Sequence, residues 1–141
     1  MLTATELSQV LRENGCKVTP QRLAIYDMLA NTKEHPTAEA IYKRLRPEYP
    51  AMSLATVYKS VEVLNKINVI QMLNVGEDSY RYDANINPHA HVKCTHCGKV
   101  VDMEEVDTAA LTSKVAKETG FTVEGQQLYF YGICPTCQKR H

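Results

Sequence analysis

Four of the five cysteines fall into two CxxC pairs, Cys94/Cys97 and Cys134/Cys137. Two such pairs supply four thiolates, the donor set of a closed, tetrahedral structural zinc site. A CxxC is also the signature of thiol redox chemistry, and the CPTC of residues 134–137 has that form. Redox exchange needs no second pair, however, and in a reducing compartment paired CxxC motifs serve as metal ligands more often than as disulfides. The closed zinc site is therefore the expectation. Cys16 stands apart and reads as a small hydrophobe. His96, inside the first knuckle, is expected to be exposed, because four sulfurs already complete the tetrahedron.

A second donor set begins just before the first cysteine pair. His89 and His91 alternate, so an extended chain would turn both imidazoles to one side, with Asp83 and Asp102 flanking them in sequence. Imidazole mixed with carboxylate suits a harder, redox-active ion such as manganese or iron. The chain thus offers a soft, permanent site and a harder, exchangeable one.

The elements that must position these donors follow from punctuation and periodicity. Residues 3–14 carry Leu7, Val10 and Leu11 at helical spacing and stop at Gly15. Thr19-Pro20 opens a second helix with Leu23, Ile25, Met28 and Leu29 inward, and Thr37 opens a third with Ile41, Tyr42 and Leu45. Ser53 caps a fourth, whose Leu54, Val57, Val61 and Leu64 face a core while Thr56, Tyr58, Lys59 and Glu62 face out. Residues 68–75 and 79–83 read as two strands joined through Gly76-Glu77-Asp78. Helices followed by a hairpin give the order of a winged helix, although a plain helical bundle has the same pattern.

Residues 84–88 contain Pro88 and have no periodicity, which marks a linker. Beyond it, residues 91–94 and 99–103 read as strands around the Cys94 knuckle. Asp107 or Thr108 caps a helix carrying Leu111, Val115 and Ala116, and Gly120 stops it with Phe121 folding back. Residues 121–134 favour a closing strand that carries Cys134 to Cys94. The fold class expected is α+β: a winged-helix domain over 1–83, a hinge over 84–90 and a small α/β dimerisation domain over 91–141. Its few apolar strands suggest a face completed by a second copy.

Composition narrows the function classes. Sixteen basic residues balance sixteen acidic ones, and ten balance ten up to Asp83, so any DNA contact must come from a local patch. No apolar run approaches the roughly 20 residues of a membrane span, and the polar start MLTATELSQ is no signal peptide, which points to the cytosol.

Taken together, KVTPQR (17–22), HPTAEAIY (35–42), SLATVYKSVEVL (53–64), RYD (81–83), HAH (89–91), CTHCGKVVD (94–102) and CPTC (134–137) resemble the ferric uptake regulator (Fur) family. Within it they are most similar to the peroxide-sensing branch, PerR, chiefly through Asp102, where iron sensors usually carry glutamate. The resemblance implies a homodimeric, metal-dependent repressor of operator DNA, expected to be an AT-rich palindrome. It implies structural zinc on Cys94, Cys97, Cys134 and Cys137, and regulatory iron or manganese on His35, Asp83, His89, His91 and Asp102. It further implies that peroxide reacts at the iron and oxidises His35 or His89. Lys17 and Arg22 would touch phosphate or the minor groove, and Thr56, Tyr58 and Lys59 would lie on the recognition helix.

Three other readings stand beside this one. An iron- or manganese-level uptake repressor would share the architecture without the oxidation step. A zinc hydrolase would use His89, His91 and a carboxylate around an open water position, but no HExxH helix or separate general base is in evidence. A thiol redox protein would depend on its cysteines and not on His89.

Overall fold

Each of the first four helices begins where a hydroxyl can satisfy an amide that helical geometry leaves unpaired. Thr3 precedes α1 (Ala4–Glu13) in a full capping box: its hydroxyl accepts from Glu6 N, and the Glu6 carboxylate accepts from Thr3 N. Thr19 caps α2 (Pro20–Ala30), Thr37 caps α3 (Ala38–Leu45) and Ser53 caps α4 (Leu54–Lys66), each accepting from the amide three residues on. The computed structural model describes residues 1–74, 79–86, 90–103 and 107–140. Among these, no helix is long and apolar enough to cross a membrane.

The chain forms two compact units, Met1–Ile86 and Asn87–His141. In the first, Leu7 and Leu11 of α1, Ile25 and Leu29 of α2, Ile41 of α3, and Val57, Val61 and Leu64 of α4 share one core. Tyr26, which periodicity alone does not select, is also inside at 3 % exposure, because its hydroxyl has a polar partner in Leu2 N at 2.9 Å. Cys16 packs half-buried against the same core. Ala84 belongs to it as well.

After α4 the chain forms β1 (Gln71–Leu73) and β2 (Arg81–Asp83), paired antiparallel with Met72 opposite Tyr82. The first strand starts later than expected, because Asn68 takes a left-handed conformation at φ 63° and ends the helix there. Asparagine is the residue after glycine best suited to that turn. The expected turn at Gly76-Glu77-Asp78 and the ligand candidate His89 lie outside the described residues, as does Pro88.

The second unit is a three-stranded sheet with one long helix. Strand β3 (Ala90–Cys94) lies between β4 (Val100–Met103), antiparallel to it, and β5 (Leu128–Gly132), parallel to it. Helix α5 (Ala109–Thr119) intervenes, and Gly120 stops it at φ 74°, a value that favours glycine. Asp107 rather than Thr108 supplies its opening side-chain bond, accepting from Ala109 N at 3.0 Å.

Two expectations fail in this unit. Phe121 does not fold back and is 73 % exposed. The closing strand begins at Leu128 instead of Phe121, since the polar Glu124-Gly125-Gln126-Gln127 stretch has no apolar face to bury. The short α6 (Pro135–Gln138) completes the unit.

Few side chains are buried here: Ala90, His91, Cys94, Val100 and Cys137 among the described residues, and none from α5. Leu111 and Val115 of α5 are about half exposed. In the sheet, Val92 pairs with Val101 on one side and Phe130 on the other, and all three are exposed. They make an apolar row across the full width of the sheet. Such a row is a face built to be covered.

Candidate metal centres and nucleic-acid interface

The four-cysteine cluster is assembled by backbone geometry from opposite ends of the second unit. Cys94 ends β3, and the turn after it is tightened by Gly98 at φ 78°, whose amide bonds back to Cys94 O at 3.0 Å. Cys134 is the N-cap of α6, which sets Cys137 one turn later. The parallel β3–β5 pairing, continued by Thr95 N donating to Gly132 O at 2.7 Å, brings the two knuckles face to face.

The four sulfurs all lie within 4.8 Å of one another, and Cys97 Sγ and Cys134 Sγ are 3.8 Å apart. A tetrahedron with zinc–sulfur bonds of about 2.3 Å has edges of about 3.8 Å, so the cage fits this ion. Amides are aimed at the sulfurs: Cys97 N and Cys134 N at Cys94 Sγ, and Cys137 N at Cys134 Sγ. Donation from Cys134 N, then from Cys97 N, holds the Cys94 thiol down at about 5. Cys134 is lowered too, first by the Cys137 amide, whereas its own side chain pushes Cys137 up to about 12. Four crowded thiols do not all ionise together unless a cation sits among them. His96 is exposed in the turn.

Each unit also carries a buried histidine paired with a carboxylate. In the first, His35 Nε2 is 3.4 Å from Asp83 Oδ2, with the residues 2 % and 8 % exposed. His35 precedes α3 and Asp83 ends β2. The two are held together because Arg81 donates to His35 O at 3.0 Å and Tyr82 N donates to Pro36 O at 3.1 Å. Asp83 Oδ1 in turn accepts from Asn85 N at 2.9 Å.

In the second unit, His91 Nε2 is 3.3 Å from Asp102 Oδ1, an outcome of the register that sets His91 of β3 opposite Asp102 of β4. The Tyr129 ring, from the register position on the other side, lies 5.8 Å from the His91 ring. Buried imidazole beside carboxylate is the donor chemistry of a first-row divalent ion. Arg81 is a supporting residue that the sequence did not single out.

The outward face of α4 carries exposed Tyr58 and Lys59, while Thr56 is half-buried with its hydroxyl 2.9 Å from Ser53 Oγ. Lys17 is exposed. Arg22 is half-buried and donates to Lys17 O at 2.7 Å, closing the loop before α2. Tyr58 donates to Glu39 Oε1, a partner that nothing in the local sequence pattern marks.

With this geometry in place, the comparisons with known proteins decide the family. The model of the ferric uptake regulator family matches residues 13–131. The chain belongs to that family. Among its relatives, the peroxide operon regulator of Bacillus subtilis is 38 % identical over 135 residues, spanning 96 % of this chain and 93 % of that protein. The peroxide-responsive repressor PerR of Staphylococcus aureus is 36 % identical over 130 residues, 92 % of this chain and 88 % of that one.

The solved Campylobacter jejuni peroxide stress regulator aligns at a TM-score of 0.76 and 32 % identity, covering 94 % of this chain and 99 % of that one. The α+β class and the four-cysteine zinc cage are thus those of a Fur-family regulator. Members of this family are transcriptional regulators and not enzymes.

Proposed function

We propose that this Fur-family chain is a metal-dependent transcriptional repressor that senses hydrogen peroxide and then releases the operators of oxidative-stress and metal-homeostasis genes. The observation that carries this reading is the separation of two donor chemistries: a four-sulfur cage, and a buried histidine–carboxylate pair in each unit. The peroxide-responsive relatives support the same assignment.

Zinc on Cys94, Cys97, Cys134 and Cys137 fixes the fold of the second unit. His35, Asp83, His89, His91 and Asp102 hold the regulatory iron or manganese, with residues 84–90 as the hinge between a DNA-binding domain and a dimerisation domain. Ligands drawn from both domains make metal occupancy and domain orientation one equilibrium, so metal affinity and DNA affinity are coupled reciprocally, by about 1–3 kcal/mol in a usable switch.

The exposed row Val92, Val101 and Phe130 supports a homodimer, which places two recognition helices on a palindromic, AT-rich duplex in the cytoplasm. On that duplex α4 reads bases through Tyr58 with Thr56 and Lys59, while Lys17 and Arg22 meet phosphate or the minor groove.

Bound ferrous iron supplies the reduction of peroxide beside its ligands, a reaction that manganese supports far less. His35 or His89 is the side chain that takes up oxygen. An oxidised imidazole would be a poorer donor, so the site would hold its metal less well. The cysteines are not the sensor.

The test uses a duplex enriched from a random pool by the manganese-loaded protein. Binding to it is measured for iron- and manganese-loaded protein before and after dilute peroxide, with peptide mass spectra over His35 and His89. The expected outcome is loss of DNA by the iron form alone, with added oxygen on one of these histidines. Retention of DNA by both forms, with unmodified histidines, would leave a metal-level uptake repressor and refute peroxide sensing.

A further inference from the structure

Glu39 and Tyr58 lie nineteen positions apart and meet where α3 packs beside α4, the Tyr58 hydroxyl donating to Glu39 Oε1 at 2.5 Å. That separation belongs to a charge-assisted O–H···O⁻ bond. The bond from Tyr58 is the leading reason that the Glu39 carboxyl sits below its usual range, and the same bond raises the Tyr58 phenol. At neutral pH the pair is a carboxylate and a protonated phenol. Burial first, then the Tyr58 and Glu39 charges, push the Tyr82 phenol of β2 up to about 12.

Two consequences follow for a surface that meets DNA. An exposed tyrosine turning freely about two side-chain torsions would lose that freedom on binding, whereas one already tethered by its hydroxyl presents its ring at little further entropic cost. Meanwhile a carboxylate on this surface opposes every phosphate backbone, whatever the sequence. A penalty common to all duplexes cancels between right and wrong sites, so the gap between them comes from the positioned ring, which finds its matching bases only at the right one.

We propose that Glu39 is a positioning and specificity-determining residue for operator reading, fixing the Tyr58 ring on the outer face of α4 in the pose that meets its matching bases. This inference rests on the DNA-reading role given to α4 above. The competing explanation is purely structural, since an acidic residue in the first turn of α3 favours that helix whatever Tyr58 does.

Manganese-loaded wild type, Glu39→Gln, Glu39→Ala, Tyr58→Phe and the Glu39→Ala/Tyr58→Phe double variant are compared on the enriched duplex and on a shuffled duplex of equal composition. Glu39→Gln removes the charge and weakens the tether, so it is expected to tighten the shuffled duplex about threefold and the enriched one by less, narrowing the ratio of the two affinities. Glu39→Ala and Tyr58→Phe each narrow that ratio about threefold, and the double variant narrows it no further than either single one. Ring NMR of Tyr58 in alkali adds a readout without DNA: Glu39→Gln lowers the pH at which that phenol ionises.

Additive narrowing of the ratio in the double variant, or an unchanged ratio in Glu39→Gln, would overturn the proposal. Wild type that enriches no duplex at all would sink the DNA reading itself, while the NMR shift would still report whether Glu39 holds Tyr58.

Discussion

Replacing Cys94 by serine should unfold the second unit and leave the first intact. Cys94 Sγ is the sulfur toward which two amides point, and it joins the strand end to the Cys134 knuckle. A structural zinc contributes on the order of 10 kcal/mol to folding in small metal-dependent domains. Against that loss, the apolar side chains buried in the described part of this unit, apart from the cysteines themselves, are Ala90 and Val100. A buried valine stabilises by about 1.5–3 kcal/mol, so nothing in this core replaces the metal.

Hydrogen exchange read by mass spectrometry separates the two units. In the variant, amides of β3, β4 and β5 should exchange at the earliest times, while those of α2 and α4 keep wild-type protection, and bound zinc should be absent. Wild-type protection in β3 with zinc gone would refute the argument, because it would mean that the sheet stands without its staple.

Two further outcomes test the same structure elsewhere. Val92→Asp puts a charge in the middle of the exposed apolar row and should convert the dimer to monomer with zinc retained, as read by light scattering on a sizing column. Burial first raises the Tyr82 phenol from 10.0 to about 12. Between those values the unfolded chain has lost a proton that the folded one keeps, so stability should fall as pH rises through this window. Tyr82→Phe should flatten that fall in chemical unfolding followed by circular dichroism.

Local chemistry was legible wherever it decided local structure. Thr19, Thr37 and Ser53 announced their helices because a cap is a bond between near neighbours, and Gly120 announced a stop because few other residues accept its φ. The zinc cage was readable from spacing, since four cysteines in two pairs have few other uses. What escaped were features made by distance along the chain. Tyr26 is inside because of Leu2, Arg81 matters because of the His35 carbonyl, and Glu39 matters because of Tyr58. The exposure of Phe121 and the late start of β5 are not legible from propensity, which does not tell which residues have a surface to cover.

The cage also imposes an order on the making of the protein. Cys134 follows Cys94 by forty positions, and β5, which must lie alongside β3 to bring the two together, is the last strand of the unit. During translation the caps and core of the first unit are available long before this, and domains generally fold in the order of synthesis. The second unit can close around zinc only when its last strand and the CPTC turn have cleared the ribosome. A chain that stops short of residue 134 would carry the helical unit and, in Cys94 and Cys97, only half of a zinc site. The zinc cage and the apolar row that includes Phe130 therefore come into being at the same late point, once residues 128–137 are available.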